Sequence, residues 1–312
     1  MFSEVVVVGQ IARDLVLEVP DTPPADASAP VTHRQELLGG KGANQAVALS
    51  QLGVAVSLVG VVGQDAVGDA LCARARADRI GTTHVVRRPG TETALLVDVV
   101  DEEGRRRYLE HVPDATLVTE TDVFAASAPI SAAGSVIVQL QQPAPAALLA
   151  ARLAHTAGTR VVLDGAPEDD AFATDLLALA DVVRADGHEA ELLTGQQVDD
   201  VAAAARAAAD LRRRGPSLVV LEVAGQGNLF AGPAESWFVP HVETEVVDPT
   251  GAGDALVATL TAALTRRRPL ETAACLAVAA AAATTEHAGG RPHLSRPVLD
   301  RLQPRHLETV HA

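Results

Sequence analysis

Short β-branched runs alternate with alanine-rich stretches along most of the chain. Val5–Val8 and residues 56–62, 136–139, 160–163, 181–183 and 218–221 are apolar without strict alternation, the pattern of strands covered on both faces. Residues 41–52, 65–79, 144–157, 171–179 and 201–214 carry helical spacing bounded by polar residues, glycine or proline. Strand–helix alternation on this scale predicts an α/β fold, a mostly parallel sheet with helices on both sides. No internal repeat is visible, which argues against a solenoid.

Two segments depart from that rhythm. Residues 20–30 are rich in proline and alanine and read as an irregular excursion. Residues 94–100 and 105–109 flank the turn Asp101-Glu102-Glu103-Gly104 and read as a hairpin. Together they predict a small sheet standing off the main one, placed to cover a site at the carboxyl edge of the strands. Arg105-Arg106-Arg107 on the hairpin reads first as a solvated arm, with reach into the site as the alternative.

Composition narrows the classes. With 312 residues, 48% of them apolar, the chain can bury a substantial core. A formal charge of −15 argues against nucleic acid and anionic membranes as partners, because both repel an acidic surface. Cys72 and Cys275 have no CxxC spacing and read as thiols in a reducing compartment. Met1-Phe2-Ser3-Glu4 shows no basic region or cleavage site, and the apolar stretch 276–283 is too short to span a bilayer. A soluble, cytoplasmic protein is expected. One oddity remains: twenty-four arginines against a single lysine, Lys41.

The P-loop, GxGxxG, GxSxG and HExxH signatures are absent. Two other segments carry the candidate chemistry. In Asp248-Pro249-Thr250-Gly251-Ala252-Gly253-Asp254, small residues run into a helical stretch, so that the N–H groups of Gly251, Ala252 and Gly253 can hold an anion. Asp254 in the first turn is either a favourable helix-start residue or a general base beside that anion hole. In Gly39-Gly40-Lys41-Gly42-Ala43-Asn44, paired glycines allow close backbone approach, and Lys41 and Asn44 share a helical face with donors for a polyhydroxylated ligand. The sole lysine and one of two asparagines within four residues favour a specific role over a solvated turn.

These two segments, with Gly53, the run Val59-Gly60-Val61-Val62-Gly63-Gln64-Asp65, Gly68 and Gly289-Gly290, resemble the ribokinase-like (PfkB) sugar kinase family over essentially the whole chain. The resemblance implies a single domain, 1–312, with a three-layer α/β/α body and a β-sheet lid from segments of about 13–38 and 92–112. It implies transfer of the ATP γ-phosphate to a hydroxymethyl group of a sugar or nucleoside, with Mg²⁺ and, in many members, a monovalent cation such as K⁺. Pairing as a homodimer through the lid is also implied. By position, Asp254 is the base and Gly251, Ala252 and Gly253 form the anion hole. Asp14, Gly40, Lys41, Asn44 and Gln141 are the substrate contacts. Asp186, Glu222, Gly225, Gly227 and His287 border the nucleotide, Glu189 organises Mg²⁺ through water, and Asp248 and Thr250 form the monovalent-cation site.

The chain departs from the family pattern at several places. Gln10, Ala12 and Gln141 stand where serine, asparagine and glutamate are usual, which loosens the tie to ribose. Asp186, Glu222 and Ala224 replace asparagine, threonine and glycine, and the added carboxylates repel a triphosphate unless Mg²⁺ or an arginine compensates. An active sugar kinase, with a ribose-like pentose as first substrate, is the leading expectation. A nucleoside kinase and a ligand-binding pseudokinase are the alternatives.

Overall fold

Four consecutive valines form the first strand, β1 (Val5–Val8), and all four are fully buried. Val5 and Val7 pack into one apolar core while Val6 and Val8 pack into another, because successive strand side chains point to opposite faces. That split defines the architecture of the computed structural model, which describes residues 4–304 and 306–310. Met1 to Ser3, part of the start read above, lie outside the described residues.

The remaining strands are β2 (Ala12–Val19), β3 (His33–Gly39), β4 (Val56–Gly63), β5 (Gly81–Arg88), β6 (Leu95–Asp101), β7 (Arg106–His111) and β8 (Ser135–Gln139). They continue with β9 (Arg160–Asp164), β10 (Val182–Ala185), β11 (Leu218–Val223), β12 (Gly227–Ala231), β13 (Ser236–Pro240) and β14 (Glu308–Thr309). Ten strands form one sheet in the order β14-β13-β12-β11-β10-β9-β8-β1-β4-β5, parallel from β5 through β11 and antiparallel from β12 to β14. The α/β sheet matches the sequence pattern; the antiparallel edge does not follow from it. Glycines at 225, 227 and 232 disguise β12 as loop.

Helices Lys41–Gln51, Ala66–Ala77, Ala252–Thr265 and Leu270–Thr285 bury their apolar residues in the first core, and Ala144–Thr156, Gly187–Thr194 and Val201–Arg213 in the second. Between β1 and β8 the chain changes its direction of travel across the sheet, since β4 and β5 lie to one side and β8 to β11 to the other. A crevice at such a switch point, beyond the carboxyl ends of the strands, is where open α/β sheets bind ligands.

The smaller sheet has the order β3-β2-β6-β7. The 20–30 excursion connects its first two strands, and the expected hairpin is β6–β7. Alternation and register put Asp14, Val16, Leu37, Asp98, Arg106 and Tyr108 on one face. That face looks onto the main body: a Cβ on Gly289 would meet the Leu37 and Val16 side chains. The arginine run is therefore not a uniform solvated arm. Arg105 pairs outward with Asp101, Glu103 and Asp21, whereas Arg106 turns inward to Asp98 and Asp248.

Asp14 is packed directly on Gly39, where a Cβ would fall 1.9 Å from the carboxylate. Gly39→Ala must displace one or the other, at an expected cost of about 1–3 kcal/mol. Denaturant unfolding checks this, and an unchanged midpoint would disprove the packing constraint.

Candidate active site

The parallel strands deliver polar residues at one edge. β8 ends on Gln139 and β9 on Asp164; β10 carries Arg184 near its end, Asp186 follows it, and β11 carries Glu222. The first turns of helices Lys41–Gln51 and Ala252–Thr265 meet them there. A cavity of about 620 Å³ opens at this edge, lined by Lys41, Arg184, Asp186, Glu222 and residues 251–254, and by the apolar Val242, Val246, Val278 and Ala282.

Asp254 is the most enclosed carboxylate facing that cavity. Asn44 Nδ2 donates to its Oδ2 at 3.1 Å and Gln45 Nε2 to its Oδ1 at 3.1 Å. The same Gln45 nitrogen donates to Asp164 Oδ2 at 2.8 Å, so one amide bridges two buried carboxylates. Burial, reinforced by the nearby Asp164 charge, pushes the Asp254 carboxyl up to about 7, against the pull of Lys41, Asn44 and Arg184. A base poised near neutrality matches what proton abstraction from a hydroxyl requires. Asp14 is likewise pushed up to about 7, mainly by burial and then by Asp254 itself.

The helix start has the conformation that an anion hole needs. Gly251 adopts φ +75°, and a Cβ there would lie 2.0 Å from the Gly290 carbonyl oxygen. Only glycine fits. Of the three donors predicted, Ala252 N–H is drawn to the Pro249 carbonyl at 3.3 Å. The Gly251, Gly253 and Asp254 N–H groups have no backbone acceptor among the described residues, so two of the three expected donors are open and Asp254 adds another.

The model for the pfkB family carbohydrate kinases matches residues 3–296. The chain belongs to that family. It is 32% identical to the Mus musculus ribokinase over 267 residues, covering 83% of this chain and 80% of the mouse protein. It is 28% identical to the Haemophilus influenzae ribokinase over 291 residues, covering 93% and 95%. A bifunctional ribokinase/ribose-5-phosphate isomerase A of Fructilactobacillus sanfranciscensis is 31% identical over 263 residues; these cover 84% of this chain but only 48% of that longer protein. In fold, the Arabidopsis thaliana ribokinase complexed with ribose and ATP superposes with a TM-score of 0.81 at 24% identity, covering 97% and 99%.

Against this carbohydrate-kinase frame, the expected residues sort unevenly. Asp14, Gly40, Lys41 and Asn44 converge around Asp254, but Asn44 gives its donor to the base, and Lys41 points at Glu189 Oε1, 3.5 Å away, on the cavity wall shared with the anion hole. Gln141 is exposed and reaches the site only through Gln139, whose Oε1 accepts the Gln10 N–H at 3.1 Å. Asp186, Glu222 and Gly225 line the cavity. Gly227 does not: it is a strand glycine, where a Cβ would strike the Val239 carbonyl at 2.3 Å. His287 is exposed and packs at a tilt against His293, with ring centroids 4.5 Å apart; His241 is the ring on the cavity wall.

Two functional residues escaped the sequence reading. Gln45 looked like an ordinary helix residue. Arg184 ends an apolar strand, and that charge at a buried position was the available signal. Its Nη1 lies 3.3 Å from Asp164 Oδ1 and 3.6 Å from Glu189 Oε2, and its Nη2 is where a Cβ on Gly253 would collide. Arg184 feels Asp164, Glu189, Asp186 and Glu222 together, so it is the arginine that compensates the acidic residues at this edge.

Among the described residues, no three metal-ligating side chains converge. Glu189 is occupied by Arg184, Lys41 and the Asp186 N–H. Asp186 accepts the Glu189 N–H on Oδ1 at 2.8 Å as a helix cap, and its other oxygen and the Glu222 carboxylate stand on the cavity wall as an all-oxygen set that fits a hydrated Mg²⁺ held mainly by phosphate. Asp248 does not fit a free cation. Its Oδ1 takes Arg106 and the Thr250 N–H, and its Oδ2 takes the Gly289 N–H.

The raised Asp254 carboxyl makes the acid side of activity predictable. The carboxylate must be ionised to act, so kcat/KM should fall as pH drops through about 7. Asp164→Asn removes a negative neighbour and should move that limb to lower pH. A pH–rate profile in both proteins checks the shift, and an unmoved limb refutes the coupling. Asp254→Asn should cost about 10²–10⁴-fold in turnover while sugar binding persists by calorimetry.

Proposed function

We propose that this carbohydrate kinase transfers the γ-phosphoryl group of ATP to the hydroxymethyl group of ribose or a ribose-like pentose. The observation that carries the proposal is a set of buried acceptors without donors around the base: Asp14 Oδ1, Asn44 Oδ1 and Gln45 Oε1. Orphaned buried acceptors are costly, and a ligand rich in hydroxyl donors satisfies them together. The mouse and Haemophilus relatives, both ribokinases, support the pentose.

In this reading Asp254 takes the proton from the acceptor hydroxyl as its oxygen attacks phosphorus, and the bond to the ADP leaving oxygen breaks. The Gly253 and Asp254 N–H groups, Lys41 and Arg184 face the charge on the transferred group; Asp186 and Glu222 would hold a hydrated Mg²⁺, which would supply neutralisation of the remaining phosphate charge. The adenine lies against Val242, Val246, Val278 and Ala282, with His241 on the wall. The four-stranded sheet acts as a lid over the sugar. Its β7 edge is free and exposes Tyr108 and Leu109, which suits pairing of two copies through the lids. A reducing cytoplasm keeps Cys72 and Cys275 as thiols; among the described residues no helix is long and apolar enough to cross a membrane.

ADP release measured over pentoses, hexoses and nucleosides tests the proposal. Ribose or a near relative should give the highest kcat/KM. Preference for a nucleoside would reassign the acceptor, and sugar binding without any turnover would make the protein a sensor.

A further inference from the structure

The Arg106 guanidinium joins two parts of the molecule that are distant in sequence. Nε and Nη2 fork onto Asp98 of β6, Nε at 3.1 Å, while Nη1 donates to Asp248 Oδ1 at 2.5 Å, 142 residues away. Both carboxylates are buried. Asp248 in turn ties two loops: its Oδ1 accepts the Thr250 N–H at 2.8 Å and its Oδ2 the Gly289 N–H at 2.6 Å. The next turn of chain, at Gly251, rests on Gly290. Asp248 is therefore the joint between the anion-hole loop and segment 289–290. A bare charge at this buried joint would oppose both its own burial and the seating of an anionic phosphoryl group nearby.

We infer that Arg106 is a built-in counter-cation, which neutralises Asp248 and fixes the anion-hole loop so that this chain needs no monovalent metal ion there. Resemblance to the sugar kinases places such an ion at Asp248 and Thr250, but here a guanidinium already holds Oδ1 and a backbone N–H holds Oδ2. Asp98 fixes the direction of the arginine, and because Arg106 belongs to β7, the counter-charge is carried by the lid. Arg106 is a positioning residue: it acts through Asp248 and touches no substrate. Only the activity arm of the test rests on the kinase reading.

Thermal unfolding and kcat/KM of the unaltered protein are measured in KCl, NaCl and tetramethylammonium chloride at equal ionic strength, and both should be the same in all three. Arg106→Met should lower kcat/KM about a hundredfold through loss of loop position, and should gain a K⁺-dependent rise in Tm as the bared carboxylate takes an ion. A K⁺-specific rise in Tm or turnover of the unaltered protein overturns the inference. Full turnover of Arg106→Met in tetramethylammonium does so too. Should Arg106→Met fail to fold, Arg106→Lys keeps the charge without the fork; it should stay indifferent to K⁺, and a K⁺ response there overturns the inference as well. If no sugar is turned over, the kinase reading fails, while the Tm comparison still decides the role of Arg106.

Discussion

The site is organised by the crowding of negative charge at one edge of the sheet. Asp14, Asp164, Glu189 and Asp254 are all buried there, and each raises the cost of ionising its neighbours. Left alone, such a group would take up protons until little charge remained. Four donors prevent this: Asn44 and Gln45 hold Asp254, Gln45 also holds Asp164, Arg184 lies between Asp164 and Glu189, and Lys41 reaches Glu189. The balance leaves the Asp254 carboxyl raised to about 7, which is what the proposed role of a base asks of it. Removing any one donor changes the base, though only Asn44 and Gln45 touch it.

That arrangement explains which parts were legible in the sequence. The valine runs show the sheet because a strand covered on both faces has no alternation to hide. Gly251–Asp254 shows the tight helix start because the backbone conformation and close approach at Gly251 admit almost nothing else. Arg184 and Gln45 stayed obscure for the opposite reason. Their roles come from neighbours on other strands and helices, 119 residues away for Gln45 and Asp164, and nothing local to either residue demands its identity. Gly227 and His287 misled because a glycine or a histidine at a plausible position has several physical explanations. At Gly227 the crowding by β13 is the operative one. Arg106 was obscured by its flanking arginines, since strand alternation turns the middle of three identical residues inward.

The acidic composition also looks different once its partners are located. Asp186 and Glu222 line the same cavity as Arg184, whose guanidinium feels both carboxylates, so their charge is compensated rather than unopposed. Backbone N–H groups at the helix start add a favourable potential that net charge does not remove. The chain thus concentrates its compensation locally and leaves the surface acidic.

Lys41 completes the logic of the arginine-rich composition. Wherever this chain fixes a cation between two buried carboxylates, it uses the planar fork of arginine: Arg184 between Asp164 and Glu189, and Arg106 between Asp98 and Asp248. A fork holds position but cannot easily leave it. Lys41 is bound on one side only, by Glu189, and is about one-third exposed to the cavity. Under the proposed function, a compact ammonium with rotatable donors on a flexible stem can keep that contact and follow a phosphoryl group as it moves from donor to acceptor. The position that calls for a mobile charge is the one position where the chain uses lysine.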